Sequence, residues 1–173
     1  MMKGCRNVEG GGFLKIVSYE GAYRDQVIAL VLSIQNDEAG VGLTLDDQPD
    51  LLEIDVHYRV NGGGFWLALD DEGRVVGTLG LQVRENACGV MKKFFVAKAF
   101  RGREYGISAR LFDCLMNCAA RNNLASIVLD TPAVATRSHV FYRKKGFLEV
   151  SRDMLPIEYA FADRNSLLFM KSL

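Results

Sequence analysis

Apolar residues recur along this chain at two spacings, every second residue in some stretches and every third or fourth in others. The switches between them mark its elements. Residues 13–19 are short, apolar and β-branched and predict a first strand. Within 24–34, Val27, Ile28, Leu30, Val31 and Ile34 fall at helical spacing, and Gly40 and Gly42 break that helix. Asp46-Asp47-Gln48-Pro49-Asp50 has the acidic, proline-bearing character of a helix start, continued by Leu51, Leu52, Ile54, Val56 and Tyr58. After the break Asn61-Gly62-Gly63-Gly64, strands at 65–69, 74–84 and 87–96 form a meander whose links have hairpin chemistry. An amphipathic helix over 103–121 carries Ile107, Leu111, Cys114, Leu115 and Cys118 on one stripe. A strand at 125–130, a helix over 132–145 closed by Gly146, and strands at 147–150 and 167–173 complete the order.

Residues 1–12 end in three glycines and read as a flexible tail, which leaves 13–173 as a single domain. The strand ending at Val96, the helix after it and the strand at 126–130 make a βαβ crossover, so those two strands should run parallel with a right-handed connection. The meander is antiparallel, so the sheet is mixed and the class α/β. Ligands on such sheets settle at the carboxyl ends of the strands, beside the first turn of the crossover helix. That points to Val96 through Ser108.

Composition narrows the function classes. The chain has 173 residues, 49% hydrophobic and 24% charged, which excludes disordered and low-complexity readings. Twenty-one basic residues balance twenty-one acidic ones, which argues against nucleic-acid binding by bulk charge. No apolar run approaches the ~18–20 residues of a membrane span, and the first residues lack the apolar core of a secretory signal. A cytoplasmic protein without membrane contact is expected. The four cysteines show no C-x-x-C pair and have two histidines for company, so no metal site is expected, and Cys114 and Cys118 read as core.

Charge is nonetheless segregated. From 25 to 58 there are eight acidic residues and no Lys or Arg; from 92 to 145 there are eleven basic residues against three acids. The plain explanation is solvated helix faces; the functional one is a bipolar molecule with a basic half for a polyanion and an acidic half for a cation.

The segment Phe100-Arg101-Gly102-Arg103-Glu104-Tyr105-Gly106-Ile107-Ser108 carries the candidate chemistry. Two glycines let backbone N–H groups converge, and the helix starting there adds unpaired amides and the positive end of its dipole. Such a loop suits a phosphate or pyrophosphate, with Arg101 and Arg103 adding charge. It is neither a P-loop nor a G-x-G-x-x-G turn.

Arg103-Glu104-Tyr105-Gly106-Ile107-Ser108 resembles the pyrophosphate signature, Gln/Arg-x-x-Gly-x-Gly/Ala, of the GNAT superfamily of acetyl-CoA-dependent N-acetyltransferases. Ser138 through Phe147 is similar to that family's later motif, small-x-x-Phe-Tyr-x-Lys-x-Gly-Phe, and the element order from Phe13 also matches. There are three departures. Ser108 stands for the last small residue, Arg101-Gly102 implies a loop two residues longer, and Ala135 replaces an Asn that often contacts pantetheine.

The resemblance implies a mixed, mostly antiparallel twisted sheet of about six or seven strands flanked by helices, with the parallel crossover at its centre. It implies acetyl-CoA as co-substrate, no metal, and a primary amine of a small molecule or peptide as acceptor. Backbone of Phe94, Phe95 and Val96 would splay from the parallel neighbour and pair with pantetheine. Arg101, Gly102, Arg103, Glu104, Tyr105, Gly106, Ile107 and Ser108 would hold the pyrophosphate, and Ser138 would also meet the cofactor. Tyr142 would protonate the departing thiolate, for which a phenol of ordinary pKa ~10 is suited; its competing role is as a packed aromatic beside Phe141. His139 reads as a surface or cofactor-edge residue. Glu20, Asp37, Glu38, Glu85 and Asp130 are the carboxylates near enough to be weighed as bases.

Acceptor specificity in the family comes from the first helices, here 21–58, so the acidic stretch suggests a cationic acceptor. The competing classes are a catalytically weak acyl-CoA sensor of the same fold, and a nucleic-acid partner using the basic half. A monomer or homodimer is expected.

Overall fold

Val, Ile, Leu and aromatic residues at two-residue spacing build seven strands, because their branched or flat side chains suit a pleated surface buried on both faces. The structure is a computed structural model and describes residues 14–161 and 165–173. The expected tail at 1–12, Phe13 of the first strand and Cys5 lie outside the described residues. The strands are β1 (Lys15–Ser18), β2 (Gly64–Leu69), β3 (Val75–Arg84), β4 (Cys88–Val96), β5 (Ser126–Pro132), β6 (Leu148–Val150) and β7 (Ser166–Ser172). They form one sheet in the order β1-β2-β3-β4-β5-β7-β6. The pair β4–β5 is parallel and every other pair antiparallel, which is the mixed sheet expected. The last strand enters between β5 and β6, where it pairs along the whole of β5, from Ser126↔Ser172 to Pro132↔Ser166.

The helices differ from the pattern at their ends. α1 (Arg24–Leu32) opens into a wider π-type turn over Ser33–Glu38. The helix expected from Asp46 onward is two short pieces instead, a 3-10 turn at Pro49–Leu51 and a π-type turn at Asp55–Arg59. α2 (Ile107–Arg121) begins after the predicted Arg103 because Gly102 (φ 144°) and Gly106 (φ 60°) take backbone angles foreign to a right-handed helix. α3 (Thr136–Lys144) begins after the predicted Pro132 because that proline extends β5.

Alternation in β2 divides the core between the two faces. Phe65, Leu67 and Leu69 pack with Val27, Val31 and Tyr58 on the α1 side. Trp66 and Ala68 pack with Ile107, Leu111 and Leu115 of α2 on the other, where Cys114 and Cys118 are also buried. At Gly80 the two layers depend on a missing side chain: a Cβ there would stand 2.5 Å from the Tyr58 ring. The Tyr58 ring therefore packs directly on the sheet at Gly80. Among the described residues no helix is long and apolar enough to cross a membrane.

Candidate active site

The site begins where the central strands part. β4 and β5 pair at Cys88↔Ser126, Gly89↔Ile127 and Val90↔Val128. Beyond those positions β4 stays with β3 and β5 with β7, so the facing main-chain edges of 91–96 and 129–132 diverge. A bulge bends β4 at this point. The register runs Gly80↔Lys92 and then Thr78↔Phe95, leaving Lys93 and Phe94 opposite Leu79. Lys93 takes φ 55°, a conformation unusual for a residue with a Cβ. The Thr78 hydroxyl holds it there, donating to the Lys93 carbonyl at 2.7 Å.

The opening is a cleft of about 1200 Å³. Of the residues the sequence singled out, Phe94, Phe95, Val96, Arg101, Ser108, Ser138 and Tyr142 line it. Phe94 turns toward Phe141, with ring centroids 5.3 Å apart, while Phe95 packs on the α1 side. Each serves as core on its own face, as strand alternation requires.

The loop from Gly102 to Gly106 leads to the head of α2. The first helical bond there is Arg110 N–H to the Gly106 carbonyl, and no side chain caps the helix. The amides of Ile107, Ser108 and Ala109 therefore head the helix with no carbonyl behind them, the usual feature of an anion-receptive end. Ile107's side chain is buried, Arg103 and Glu104 are exposed, and Tyr105 rests on Phe100 at 5.5 Å. Arg101 is engaged elsewhere: it donates to the Val96 carbonyl at 2.7 Å and pairs with Glu38 at 2.7 Å. Nε and Nη1 of Arg101 are thus engaged, which leaves Nη2 and the second lone pair of the Val96 carbonyl for further contacts.

Tyr142 is buried among Phe94, Phe141, Phe147 and Phe169, with ring centroids 5.8 to 6.3 Å away. Burial raises its pKa above the ordinary phenol value; the charge of Asp130 adds to this, and a hydrogen bond with Ser138 opposes it. His139, expected at the surface or cofactor edge, is instead buried. Its ring lies 5.6 Å from Phe169 and its Nε2 sits 3.0 Å from the Pro132 carbonyl, because α3 turns this face onto β7 and the end of β5.

Sequence reasoning missed a polar network at the other side of the cleft. Lys93 Nζ donates to Gln48 Oε1 at 2.7 Å and lies 3.4 Å from Asp50 Oδ1. Asp50 Oδ2 accepts from the Tyr58 hydroxyl at 2.5 Å, and Gln35 and Gln48 exchange amide bonds of 2.8 and 3.0 Å. The available signal was the Lys92-Lys93 pair interrupting an otherwise apolar strand. Tyr58→Phe removes a donor from a buried carboxylate, and should cost about 1.5–3 kcal/mol of stability. Urea denaturation measures it; a loss below about 0.5 kcal/mol, the usual effect of a neutral surface change, would make the bond unimportant.

Four buried phenols give the fold a pH limit. Burial raises the pKa of Tyr19, Tyr58, Tyr142 and Tyr159, with Asp55 adding to the first, Asp50 to the second and Asp130 to the last two. The unfolded chain loses these protons near the ordinary value of ~10, so their stabilisation is complete below that pH and declines above it. Lys93, whose pKa burial lowers, acts in the opposite sense as one group against four. The urea midpoint should hold steady to about pH 9 and fall beyond about pH 10; an undiminished midpoint near pH 11 contradicts this.

Four of the eight acids of 25–58 have basic partners. Asp25 lies 3.7 Å from Arg24, Asp55 2.8 Å from Arg59, Glu38 pairs with Arg101, and Asp50 is committed to Tyr58 and Lys93. Of the carboxylates weighed as bases, Glu38 and Asp130 line the cleft, while Glu85 pairs with Arg84 at the far end of β3. Among the described residues no group of three or more His, Cys, Asp or Glu is arranged to hold a metal.

Residues 61–149 match the family model described as the acetyltransferase (GNAT) domain. An acetyltransferase structure from Streptococcus agalactiae 2603 superposes with a TM-score of 0.87 at 35% identity, covering 92% of this chain and 98% of that one. N-acetylaspartate synthetase of Danio rerio is 34% identical over 103 residues, which are 58% of this chain and 36% of that protein. The matched region is thus about a third of that relative's length. N-acetylglutamate synthase from Neisseria gonorrhoeae, solved with coenzyme A and N-acetyl-glutamate, shares the fold at a TM-score of 0.71 and 18% identity, covering 95% of this chain and 36% of that one.

Proposed function

The chain belongs to the acetyltransferase (GNAT) family, and from that premise we propose that it moves an acetyl group from acetyl-CoA to the amino group of an amino acid. The observation that carries the reading is the parting of β4 from β5 with Tyr142 lining the cleft so formed. The diverging strand edges supply main-chain donors and acceptors suited to the amide-bearing pantetheine arm. The amides heading α2, which have no carbonyl partner in the helix, suit the pyrophosphate. Both features fit the cofactor by chemistry as well as by family.

Bound acetyl-CoA supplies the thioester carbonyl; the chain supplies position and protons. Holding the amine against that carbonyl contributes through proximity, and a main-chain N–H near Val96 stabilises negative charge developing on the oxygen. The Tyr142 hydroxyl, kept protonated by burial, donates to the sulfur as it leaves. An amine of ordinary pKa ~10 must lose a proton before attack, and Asp130 is the cleft carboxylate whose charge acts on Tyr142.

The amino-acid acceptor rests on the names of two relatives, N-acetylaspartate synthetase and N-acetylglutamate synthase. A purely cationic acceptor is less well supported, since Asp55, Asp50 and Glu38 of the acidic stretch are paired with Arg59, Lys93 and Arg101 from outside it. The test is thiol release from acetyl-CoA across amino acids, polyamines and peptides, alongside calorimetric CoA binding. Turnover on amino acids is the expected result. CoA binding without turnover on any acceptor would instead identify a sensor, and salt-sensitive nucleic-acid binding indifferent to CoA would support neither.

A further inference from the structure

Lys93 is an expensive residue where it stands. Its side chain is 10% exposed, and an ammonium that deep costs several kcal/mol unless it is well paired. A structural ion pair would bring Asp50 into direct contact, at the 2.7–2.9 Å of a charge-assisted bond. Here the distance is 3.4 Å, and the other Asp50 oxygen is given to Tyr58. Gln48 takes a second ammonium proton at 2.7 Å, while its oxygen also accepts from Gln35. Among the described residues, then, two of three ammonium donors have acceptors, and one of those is long.

The ammonium also faces the right space. Lys93 lines the cleft, and its bulge holds it one residue before Phe94, whose ring lies 6.3 Å from that of Tyr142. Asp130 lines the same cleft and acts electrostatically on both Tyr142 and Lys93. A cation and an anion therefore line the cleft that also holds the candidate proton donor, an arrangement that complements an amino-acid zwitterion.

We infer that Lys93 anchors a carboxylate carried by the acceptor beside its amine, so that this site selects amino acids over plain amines. The inference rests on the transferase reading and names the residue that sets its specificity. The acceptor carboxylate accepts a hydrogen bond from the third Lys93 N–H, in a buried site where a charged contact is strong. Its ammonium then lies toward Asp130, between the anchor and Tyr142. An amide in place of the carboxylate loses the charge and leaves the buried cation short of a partner.

The experiment uses the full chain, acetyl-CoA, and L-aspartate, L-glutamate and L-leucine, each beside its α-carboxamide. The best acid should exceed its amide by about tenfold or more in kcat/KM, the usual loss when a buried polar group is left unpaired. Lys93→Met should raise KM for that acid by about tenfold or more, leave KM for acetyl-CoA unchanged and level acid with amide. Lys93→Arg, which keeps the cation, should retain part of the preference. Equal use of acid and amide by the unaltered protein overturns the inference whatever the variants do. So does a preference that survives Lys93→Met, or an acid panel that is neither turned over nor bound in the presence of CoA. A protein that binds no CoA loses the transferase reading itself, a distinct result.

Discussion

Tyr142→Phe is expected to lower kcat by about 10²–10³-fold while acetyl-CoA binds as before, within the range a positioned general acid supplies. The substitution removes one oxygen and keeps the ring, which packs against Phe94, Phe147 and Phe169. Its effect on packing is therefore small, and its effect on proton donation complete. Burial favours the protonated phenol, so this group should add no alkaline fall to the kcat profile below about pH 10. Steady-state kinetics on the best acceptor, with CoA affinity measured separately, divides the two roles. Unchanged kcat in the Phe variant would leave Tyr142 as a packed aromatic and nothing more.

Gly106→Glu should weaken CoA binding by about 100-fold or more without unfolding the protein, the loss expected when an unpaired like charge meets a buried anion. A Cβ at Gly106 meets nothing within 4 Å, so the free protein has room for the side chain. The left-handed backbone, φ 60°, costs a residue with a Cβ roughly 1–2 kcal/mol. A carboxylate at the head of α2 recovers about 0.3–1 kcal/mol from the helix dipole. The net change in stability is small, and what remains is bulk and negative charge where the pyrophosphate would sit. Gly106→Asn controls for the backbone, since Asn tolerates this conformation without charge, and should keep most of the affinity. Calorimetry with CoA measures both. Full affinity in Gly106→Glu would move the pyrophosphate to another part of the surface.

These two residues were legible from the chain alone because their signals are local. Gly106 opens a helix in a run of glycines and basic residues, and Tyr142 sits in a motif of ten consecutive residues. Helix starts at 107 and 136 were set too early because the αL backbone of Gly106 and the pairing of Pro132 with Ser166 are not visible in apolar periodicity. Lys93 was the larger omission. Its partner Gln48 is 45 residues away in sequence, and Gln35, which shares the network, is 13 residues from Gln48. Read alone, Asp50 belonged to an acidic helix start and Lys93 to a basic stretch; neither carried a sign of the other. His139 likewise looked polar and external until β7 supplied the Phe169 ring beside it.

The amino-acid order by itself determined the seven strands, the helices α1, α2 and α3 short of their exact ends, and the parallel run of the two central strands, while a family motif marks the loop and phenol of the proposed chemistry. The strands and helices follow from side-chain period, turn chemistry and helix ends, each decided within a dozen or so residues. Tertiary structure alone decided where β4 leaves β5, that β7 fills the place beside β5, and that a buried lysine faces the cleft. Each of these depends on which distant backbone edge or charge finally satisfies a polar group, and burial makes that choice only when the whole sheet is assembled.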